Sequence, residues 1–160
     1  MGNVINVGIS DMNIALGDDT LVTYALGSCV GICLYDFEKK IAGLAHIMLP
    51  WSKEAPSNSD NKRRYADTGI TELIQMMYGK GASPSRLVAK IAGGAQMFKT
   101  NSAVFNIGDR NVDAVKKVLD TYKIRILAEE TGLNYGRTVF FCAADGIMEV
   151  KAALKPTVKV

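Results

Sequence analysis

The sequence has few of the residues that usually build metal and redox sites. Its 160 residues include one histidine, His46, and three cysteines, Cys29, Cys33 and Cys142. The cysteines form neither a CxxC pair nor the spacing of zinc ligands, which excludes a thioredoxin-like redox motif and a structural zinc site. The glycine pair in KIAGGAQMF comes without a P-loop or a GxGxxG motif, which excludes the common nucleotide-binding loops. We therefore expect no metal and no organic cofactor.

The sequence also has little net charge and no long apolar segment. Nineteen basic and sixteen acidic residues leave a net charge of +3. This excess is too small to indicate a nucleic-acid partner, for which a basic stripe is expected. No apolar run approaches the roughly 20 residues that span a bilayer, and the start, MGNVINVGIS, lacks the regions of a signal peptide. An odd number of cysteines without such a signal is typical of reduced thiols. We expect one cytoplasmic domain over residues 1–160, without membrane insertion.

What is present is a series of short apolar runs that predict strands. VINVGIS, TLVTYALG, RLVAKIAGG and IRILAEE are typical of strands. CVGICLYD and IAGLAHIMLP flank the polar DFEKK and predict a hairpin, in which Leu44, His46 and Met48 share one face. TVFFCAADGIMEVKA predicts a second hairpin with a two-residue turn at Asp145-Gly146.

Two segments have the apolar spacing of helices, YADTGITELIQMMYGKG and NVDAVKKVLDTY. The polar WSKEAPSNSDNKRR before the first helix is expected to be an exposed, mobile loop. Strands and helices do not alternate strictly, so the order favours a layered α/β domain with a mixed sheet over a doubly wound fold.

Cys29 in LGSC is the candidate nucleophile. A cysteine attacks as its thiolate, and a neighbouring imidazole is a common way to produce it, so His46 is the only histidine that can be its base. Gly27 permits a tight turn, and the backbone amides around Ser28 and Cys29 can supply oxyanion donors. The plainer interpretation stays open, because a lone histidine on a strand is more often structural and a cysteine in an apolar segment is often only a buried side chain.

The remaining thiols and polar groups are expected to be structural. Cys33 and Cys142 lie inside apolar strands and are predicted to be core residues. Arg110 and Asn111 of IGDRN are expected to shape a groove or cap a helix, and Asp109 is a candidate N-cap.

Six blocks add a further signal: ALGSCVGICLYD, GLAHIMLP, RYADTGI, KIAGGAQMF, NIGDRNVDAVKKVL and AEETGLNYGRTV. Their order and spacing, from about Val4 to Val150, resemble those of the CheD family, the chemoreceptor glutamine deamidases of bacterial and archaeal chemotaxis. The resemblance implies a single α/β/β layered domain with mixed sheets, similar to the catalytic domain of cytotoxic necrotizing factor toxins. It also implies a catalytic pair, Cys29 and His46, assisted by Thr23.

The same resemblance implies a reaction and two partners. The reaction is hydrolysis of selected glutamine side chains on methyl-accepting chemotaxis receptors to glutamate and ammonia, which regulates adaptation, and the second partner is the CheC phosphatase. Two alternatives stay open: a receptor methylesterase that uses the same nucleophile, and a mainly non-catalytic adaptor for CheC. Leu133 stands where family members often have a second glycine, which leaves the shape of that loop undetermined.

Overall fold

The computed structural model describes residues 2–55, 61–97 and 106–160 of the chain. In that part of the chain the strands form two five-stranded sheets, which we call the outer and the central sheet. The outer sheet consists, in order, of β1 (Val4–Asn6), β3 (Thr20–Leu26), β8 (Arg137–Cys142), β9 (Met148–Lys151) and β10 (Val158–Lys159). The central sheet consists, in order, of β2 (Asp11–Leu16), β5 (Ile41–Ile47), β4 (Val30–Asp36), β6 (Val88–Gly93) and β7 (Arg125–Thr131). Each sheet is mixed, because β1 and β3 run parallel, as do β6 and β7, while the other neighbours are antiparallel.

Two helices, α1 (Ala66–Gly79) and α2 (Ile107–Thr121), cover one face of the central sheet. Their buried apolar stripes pack against the alternate residues of β4 that face them: Ile70, Leu73 and Met77 of α1, Val115 and Leu119 of α2, and Val30, Ile32 and Leu34 of β4. Burying each such side chain contributes about 1.5–3 kcal/mol. None of the described helices is long and apolar enough to cross a membrane.

The other face of the central sheet packs on the outer sheet. Cys33 and Leu44 from the central sheet meet Leu21, Val139 and Phe141 from the outer sheet in a second apolar cluster. Every residue of β4 and β5 is buried because both faces of these strands are covered, which explains why their sequences are almost continuously apolar. The layers are therefore helices, central sheet and outer sheet, and the predicted α/β/β fold is confirmed.

The first predicted hairpin is confirmed, and so is the alternation of faces along β5 as far as Ile47; Met48 lies beyond the strand. β4 and β5 pair directly, Leu44 faces the outer sheet, and Ala45 and Ile47 face the helices. Both predicted helices are also confirmed, and α1 ends at Gly79 as its sequence indicates. The sequence analysis missed β2, although its Met12 and Ile14 alternate with exposed residues.

The second hairpin is confirmed, but the two-residue turn predicted at Asp145-Gly146 is wrong. β8 ends at Cys142 and β9 begins at Met148, so five residues connect them. Gly146 has a φ of +70°, and a Cβ on it would lie 2.6 Å from the Tyr35 ring. The connection is wider because it packs down on this ring.

The N-cap prediction for Asp109 is also wrong. α2 begins at Ile107 with Asn106 in the N-cap position, so Asp109 lies in the first turn. The Asn106 side chain donates a hydrogen bond to the Asp109 carboxylate over 2.8 Å. A one-turn error of this kind arises because acidic residues are favourable both as caps and throughout the first turn of a helix.

The loop predicted over 51–64 has structured ends. Short 3-10 turns occupy Ser52–Glu54 and Lys62–Arg64. Asp67 of α1 accepts hydrogen bonds from the Ser52 backbone and hydroxyl, and Arg63 pairs with Asp11 and Glu72. Residues 56–60 lie outside the described residues, and the predicted mobility of the loop stays a prediction.

Candidate active site

Thr23 reaches the space between the two sheets because it lies two residues after Leu21, on the same face of β3, and β3 has a bulge just after it. Tyr24 and Ala25 stand where the partner strand β8 supplies one residue, so the register shifts between Thr23 and Leu26. Ala25 takes a left-handed φ of 59°, a conformation that costs an ordinary residue about 1–2 kcal/mol. The bulge allows both Thr23 and Leu26 to be fully buried, although residues three apart on a regular strand face opposite sides.

His46 lies near the end of β5, on the face of the central sheet that meets the outer sheet. It pairs with Gly31 of the neighbouring strand β4, and its side chain is fully buried. The Thr23 hydroxyl oxygen is 2.7 Å from His46 Nδ1. This hydrogen bond joins the two sheets across 23 residues of sequence.

The bonding of Thr23 determines which nitrogen of His46 has the proton. The Thr23 hydroxyl lies 2.7 Å from the carbonyl oxygen of Val7, and a carbonyl can only accept, so the hydroxyl donates its single proton there. Thr23 must then accept from His46, which places the imidazole proton on Nδ1. The lone pair is consequently on Nε2, and no described residue forms a hydrogen bond with that atom.

Burial sets the charge of both groups near neutral pH. Burial lowers the pKa of His46 to about 4, so the imidazole is neutral and able to take a proton. Burial also raises the pKa of the Cys29 thiol, an effect partly offset by the residue's own backbone N–H. Both effects favour a neutral thiol and a neutral imidazole over a preformed thiolate–imidazolium pair.

Cys29 precedes β4 by one residue and shares a face with His46. Gly31 stands directly opposite His46, and Cys29 comes two residues before Gly31, at the end of β4 where His46 lies. Cys29 is partly buried and packs against the apolar cluster between the sheets. Cys29 and the Thr23–His46 pair thus both lie on the side of the central sheet that faces the outer sheet, without a hydrogen bond from the thiol to Nε2.

A glycine turn after β6 holds the backbone of the Cys29 segment. The amide of Gly94 donates to the Cys29 carbonyl over 2.8 Å, and that of Ala95 donates to the Gly27 carbonyl over 2.9 Å. Gly93 has a φ of +109°, and a Cβ there would lie 2.3 Å from the Cys29 carbonyl oxygen. Only glycine allows the two backbones to approach so closely, so the glycine pair of KIAGGAQMF supports the candidate nucleophile.

Gly27 and Ser28 enter the site through their backbone. A Cβ on Gly27 would lie 3.2 Å from Met97 Cγ, so this position leaves little room for a side chain. The Ser28 carbonyl accepts a hydrogen bond from the Asn111 side chain over 2.9 Å. The role of the Ser28 and Cys29 backbone amides as oxyanion donors stays a prediction.

Three features of the site were missed by the sequence analysis. The Val7 carbonyl has no residue-type signal, since every residue has one. The glycine pair was visible, but its role depends on which backbone it approaches. Arg137 is almost fully buried, stacks on Tyr135 at 4.5 Å and donates to the Gly132 carbonyl over 3.0 Å, beside the glycine turn. Arginine side chains are mostly exposed, so the residue type did not indicate that Arg137 is buried.

The described residues contain no cluster of three or more His, Cys, Asp or Glu side chains that could hold a metal ion. Asn111, named from the sequence as a groove or capping residue, is fully buried beside the Cys29 segment. Cys33 is fully buried in the core between the sheets, whereas Cys142 is only partly buried. The prediction of a core position is thus confirmed for Cys33 and wrong for Cys142, which lies on the open face of the outer sheet.

Comparisons with known proteins give a consistent result. Residues 48–152 match the family model described as CheD chemotactic sensory transduction. A protein of Lachnoclostridium phytofermentans, named probable chemoreceptor glutamine deamidase CheD, is 48% identical over the whole of both chains. One of Caldanaerobacter subterraneus with the same name is 53% identical over 92% of each chain. One of Halalkalibacterium halodurans, named chemoreceptor glutamine deamidase CheD, is 47% identical over 88% of each.

Among solved structures, Bacillus licheniformis hypothetical protein YfiH is similar over 72% of this chain and 47% of its own, with a TM-score of 0.44 and 16% sequence identity. At that level the likeness carries no argument.

Proposed function

The chain belongs to the CheD family, and we propose that it is a chemoreceptor glutamine deamidase that works through Cys29 and His46. The relatives' names support the substrate and the reaction. The observation that supports the mechanism is the bonding of Thr23, which leaves a neutral His46 with a free Nε2 lone pair on the face of the sheet that holds Cys29. A neutral imidazole with a free lone pair is what a thiol nucleophile requires of its base.

In the first half of the reaction, His46 Nε2 takes the proton of Cys29 as the sulfur attacks the carboxamide carbon of a receptor glutamine. A tetrahedral oxyanion forms, which backbone amides at Ser28 and Cys29 can stabilise. The carbon–nitrogen bond then breaks, and the imidazolium gives its proton to the departing nitrogen. Ammonia leaves, and the glutamyl group remains on Cys29 as a thioester.

In the second half, water replaces ammonia. Neutral His46 takes a proton from the water as its oxygen attacks the thioester carbon. The carbon–sulfur bond breaks, the sulfur recovers a proton from the imidazolium, and glutamate is released. The sum is glutamine plus water giving glutamate plus ammonia, with the enzyme returned to its starting protonation state.

Thr23 takes the position that an aspartate has in many catalytic triads. Its hydroxyl fixes the tautomer and the ring direction of His46, as a third member does. Being uncharged, it stabilises the imidazolium less than a carboxylate, which agrees with the low pKa of His46. We therefore expect a modest turnover rate.

The decisive experiment is peptide mass spectrometry of a receptor cytoplasmic domain incubated with the protein. Each deamidation adds about one dalton, and we expect Cys29→Ala to abolish it. Cys33→Ala is the matched control, because Cys33 lies in β4, the strand that follows Cys29, packs in the same apolar cluster and is fully buried. Full activity of Cys29→Ala, or loss of activity in Cys33→Ala with an unchanged melting curve, would contradict the assignment.

The same assay separates the alternatives. Receptor peptides with glutamyl methyl esters test the methylesterase, which would hydrolyse the esters and leave glutamine amides unchanged. We also propose CheC as a binding partner on the strength of the family membership, and a pull-down with Cys29→Ala tests this without turnover. Binding of CheC together with no deamidation by the wild-type protein would favour the adaptor.

A further inference from the structure

Asn111 of α2 connects the two segments that hold the candidate catalytic pair. Its side chain is fully buried. Its amide nitrogen donates to the Ser28 carbonyl, one residue before Cys29, and to the Met48 carbonyl, two residues after His46, each over 2.9 Å. A single side chain thus bonds the backbone next to the nucleophile and the backbone next to its base.

The orientation of the Asn111 amide follows from its acceptors. Both partners are carbonyl oxygens, which only accept, so the NH₂ group must face them. The two backbone segments depend on their bonds to Asn111 to different degrees. The segment at Met48 has two further anchors, because the amides of Met48 and Leu49 both donate to the Arg64 carbonyl. The Ser28 carbonyl has Asn111 as its partner in the described part of the chain, so loss of Asn111 acts mainly on the peptide between Ser28 and Cys29.

The direction of this peptide decides where the Cys29 N–H points. In a trans peptide the C=O and N–H groups point in opposite directions. With the Ser28 carbonyl held toward Asn111, the Cys29 N–H points away from α2. The influence of this N–H on the Cys29 thiol is consistent with that direction, since it partly offsets the raised pKa that burial causes. A donor on the sulfur's side is near the place where the oxyanion of an attacked carbonyl forms.

From these bonds we infer that Asn111 is a positioning residue that aims the Cys29 N–H at the oxyanion of the tetrahedral intermediate. The inference rests on the proposed Cys29 chemistry and assigns Asn111 no contact with substrate. A residue with this role affects reactions that pass through an oxyanion and leaves other reactions of the same thiol unchanged.

Two reagents separate these cases. p-Nitrophenyl acetate acylates Cys29 through a tetrahedral oxyanion, and iodoacetamide alkylates it by direct displacement without one. For Asn111→Ala we expect the acylation rate and the deamidation kcat to fall about 100-fold, at the lower end of the loss that follows removal of an oxyanion donor. We expect the alkylation rate and the KM for receptor peptide to change by less than about threefold.

Asn106→Ala is the matched control, since Asn106 is the N-cap of the same helix and its side chain bonds only the Asp109 side chain among the described residues. It should leave both rates unchanged. Equal losses of acylation and alkylation in Asn111→Ala would show a merely structural role and overturn the inference, as would an unchanged acylation rate. Acylation of the wild type without receptor deamidation would refute the proposed function alone.

If Asn111→Ala does not fold, Asn111→Ser is tested in the same way. If neither variant folds, a measurement on the wild-type protein tests the inference. Addition of an aldehyde that forms a hemithioacetal with Cys29, the thiol proton passing to the aldehyde oxygen, should move the Cys29 amide proton downfield, as a new hydrogen bond to that oxygen forms. An unmoved amide proton in a fully formed adduct would overturn the inference.

Discussion

Thr23 sets the tautomer of His46 through two hydrogen bonds. It accepts from His46 because its own proton goes to Val7, so a backbone carbonyl indirectly selects the tautomer of the base. Neither the hydroxyl nor the imidazole is exposed to solvent. In such a buried network, each polar group left without a partner costs about 1–3 kcal/mol. The Val7 carbonyl, the Thr23 hydroxyl and the His46 imidazole therefore favour a single pattern of hydrogen bonds.

Thr23→Val tests this network, because it keeps the shape of the side chain and removes the hydroxyl. It leaves His46 Nδ1 without its acceptor, and we expect kcat for deamidation to fall about 10-fold or more, in line with a loss of at least one hydrogen bond worth about 1.4 kcal/mol. Thr23→Ser keeps the hydroxyl and should keep most of the activity.

The single histidine makes the tautomer measurable in the same variants. With nitrogen-15 labelled histidine, the wild type and Thr23→Ser should show one imidazole signal set with the proton on Nδ1. Thr23→Val should show a mixture of tautomers. A fully active Thr23→Val with the wild-type spectrum would remove Thr23 from the site.

Two local irregularities bring the elements of the site together. The bulge in β3 returns Leu26 to the inner face that Thr23 already occupies, and the glycine turn after β6 holds the backbone of Cys29. Both rely on residues with left-handed φ, Ala25 in the first and Gly93 and Gly94 in the second. Strain of this kind persists only where the surrounding structure holds it.

Gly93→Ala is expected to disturb the site specifically. The added Cβ meets the Cys29 carbonyl oxygen at 2.3 Å, so the backbone of the nucleophile must move. We expect a stability loss of more than about 2 kcal/mol and a fall in kcat of more than about 10-fold. Gly17→Ala is the control, since Gly17 also has a left-handed φ, of +61°, but open space around its Cβ position. It should cost only about 1 kcal/mol, with kcat unchanged. Urea unfolding and the deamidation assay measure both effects.

Leu133 shows that the loop without the second glycine keeps a glycine-like backbone. Its φ is 62°, its side chain is 65% exposed, and its carbonyl accepts from the Gln96 amide over 2.9 Å. Leu133→Gly should therefore stabilise the protein by about 0.5–1 kcal/mol, by removing the strain of a left-handed leucine. Leu16→Gly, at an exposed position in β2 outside the left-handed region, should instead destabilise it. Equal effects of the two changes in urea unfolding would disprove this explanation.

At the scale of the whole molecule, the three layers place the site in the apolar space between the sheets. This burial is what lowers the pKa of His46 from 6.5 to about 4. Between these values the unfolded chain binds a proton that the folded protein does not, so acidification favours unfolding there. The stability associated with neutral His46 is fully present above pH 6.5 and is lost as the pH falls toward 4.

We therefore expect the free energy of unfolding to decrease on acidification from pH 6.5 to 4, with a slope of at most about 1.4 kcal/mol per pH unit from this residue. His46→Gln should remove that slope in urea unfolding between pH 5 and 6.5. Asp36 does not interfere, because the bonds from Arg86, Ser83 and Lys39 outweigh the raising effect of burial and hold its pKa at about 2. An unchanged slope in His46→Gln would show that other groups cause the pH dependence.

The sequence by itself determined the local elements and their faces. Periodicity predicted the β4–β5 hairpin with His46 on the face of Leu44, and helical spacing predicted α1 and α2, because these patterns are properties of neighbouring residues. The resemblance to the CheD family named Cys29, His46 and Thr23, but residue chemistry alone left Cys29 undecided.

The tertiary structure decided what the candidate residues contact. The hydrogen bond from His46 to Thr23 crosses between two sheets, and its direction depends on the Val7 carbonyl. The approach of Gly93 to Cys29 depends on backbone atoms as well. Backbone groups have no residue-type signal, and their partners come from distant segments, so only the packing of the layers shows which groups meet.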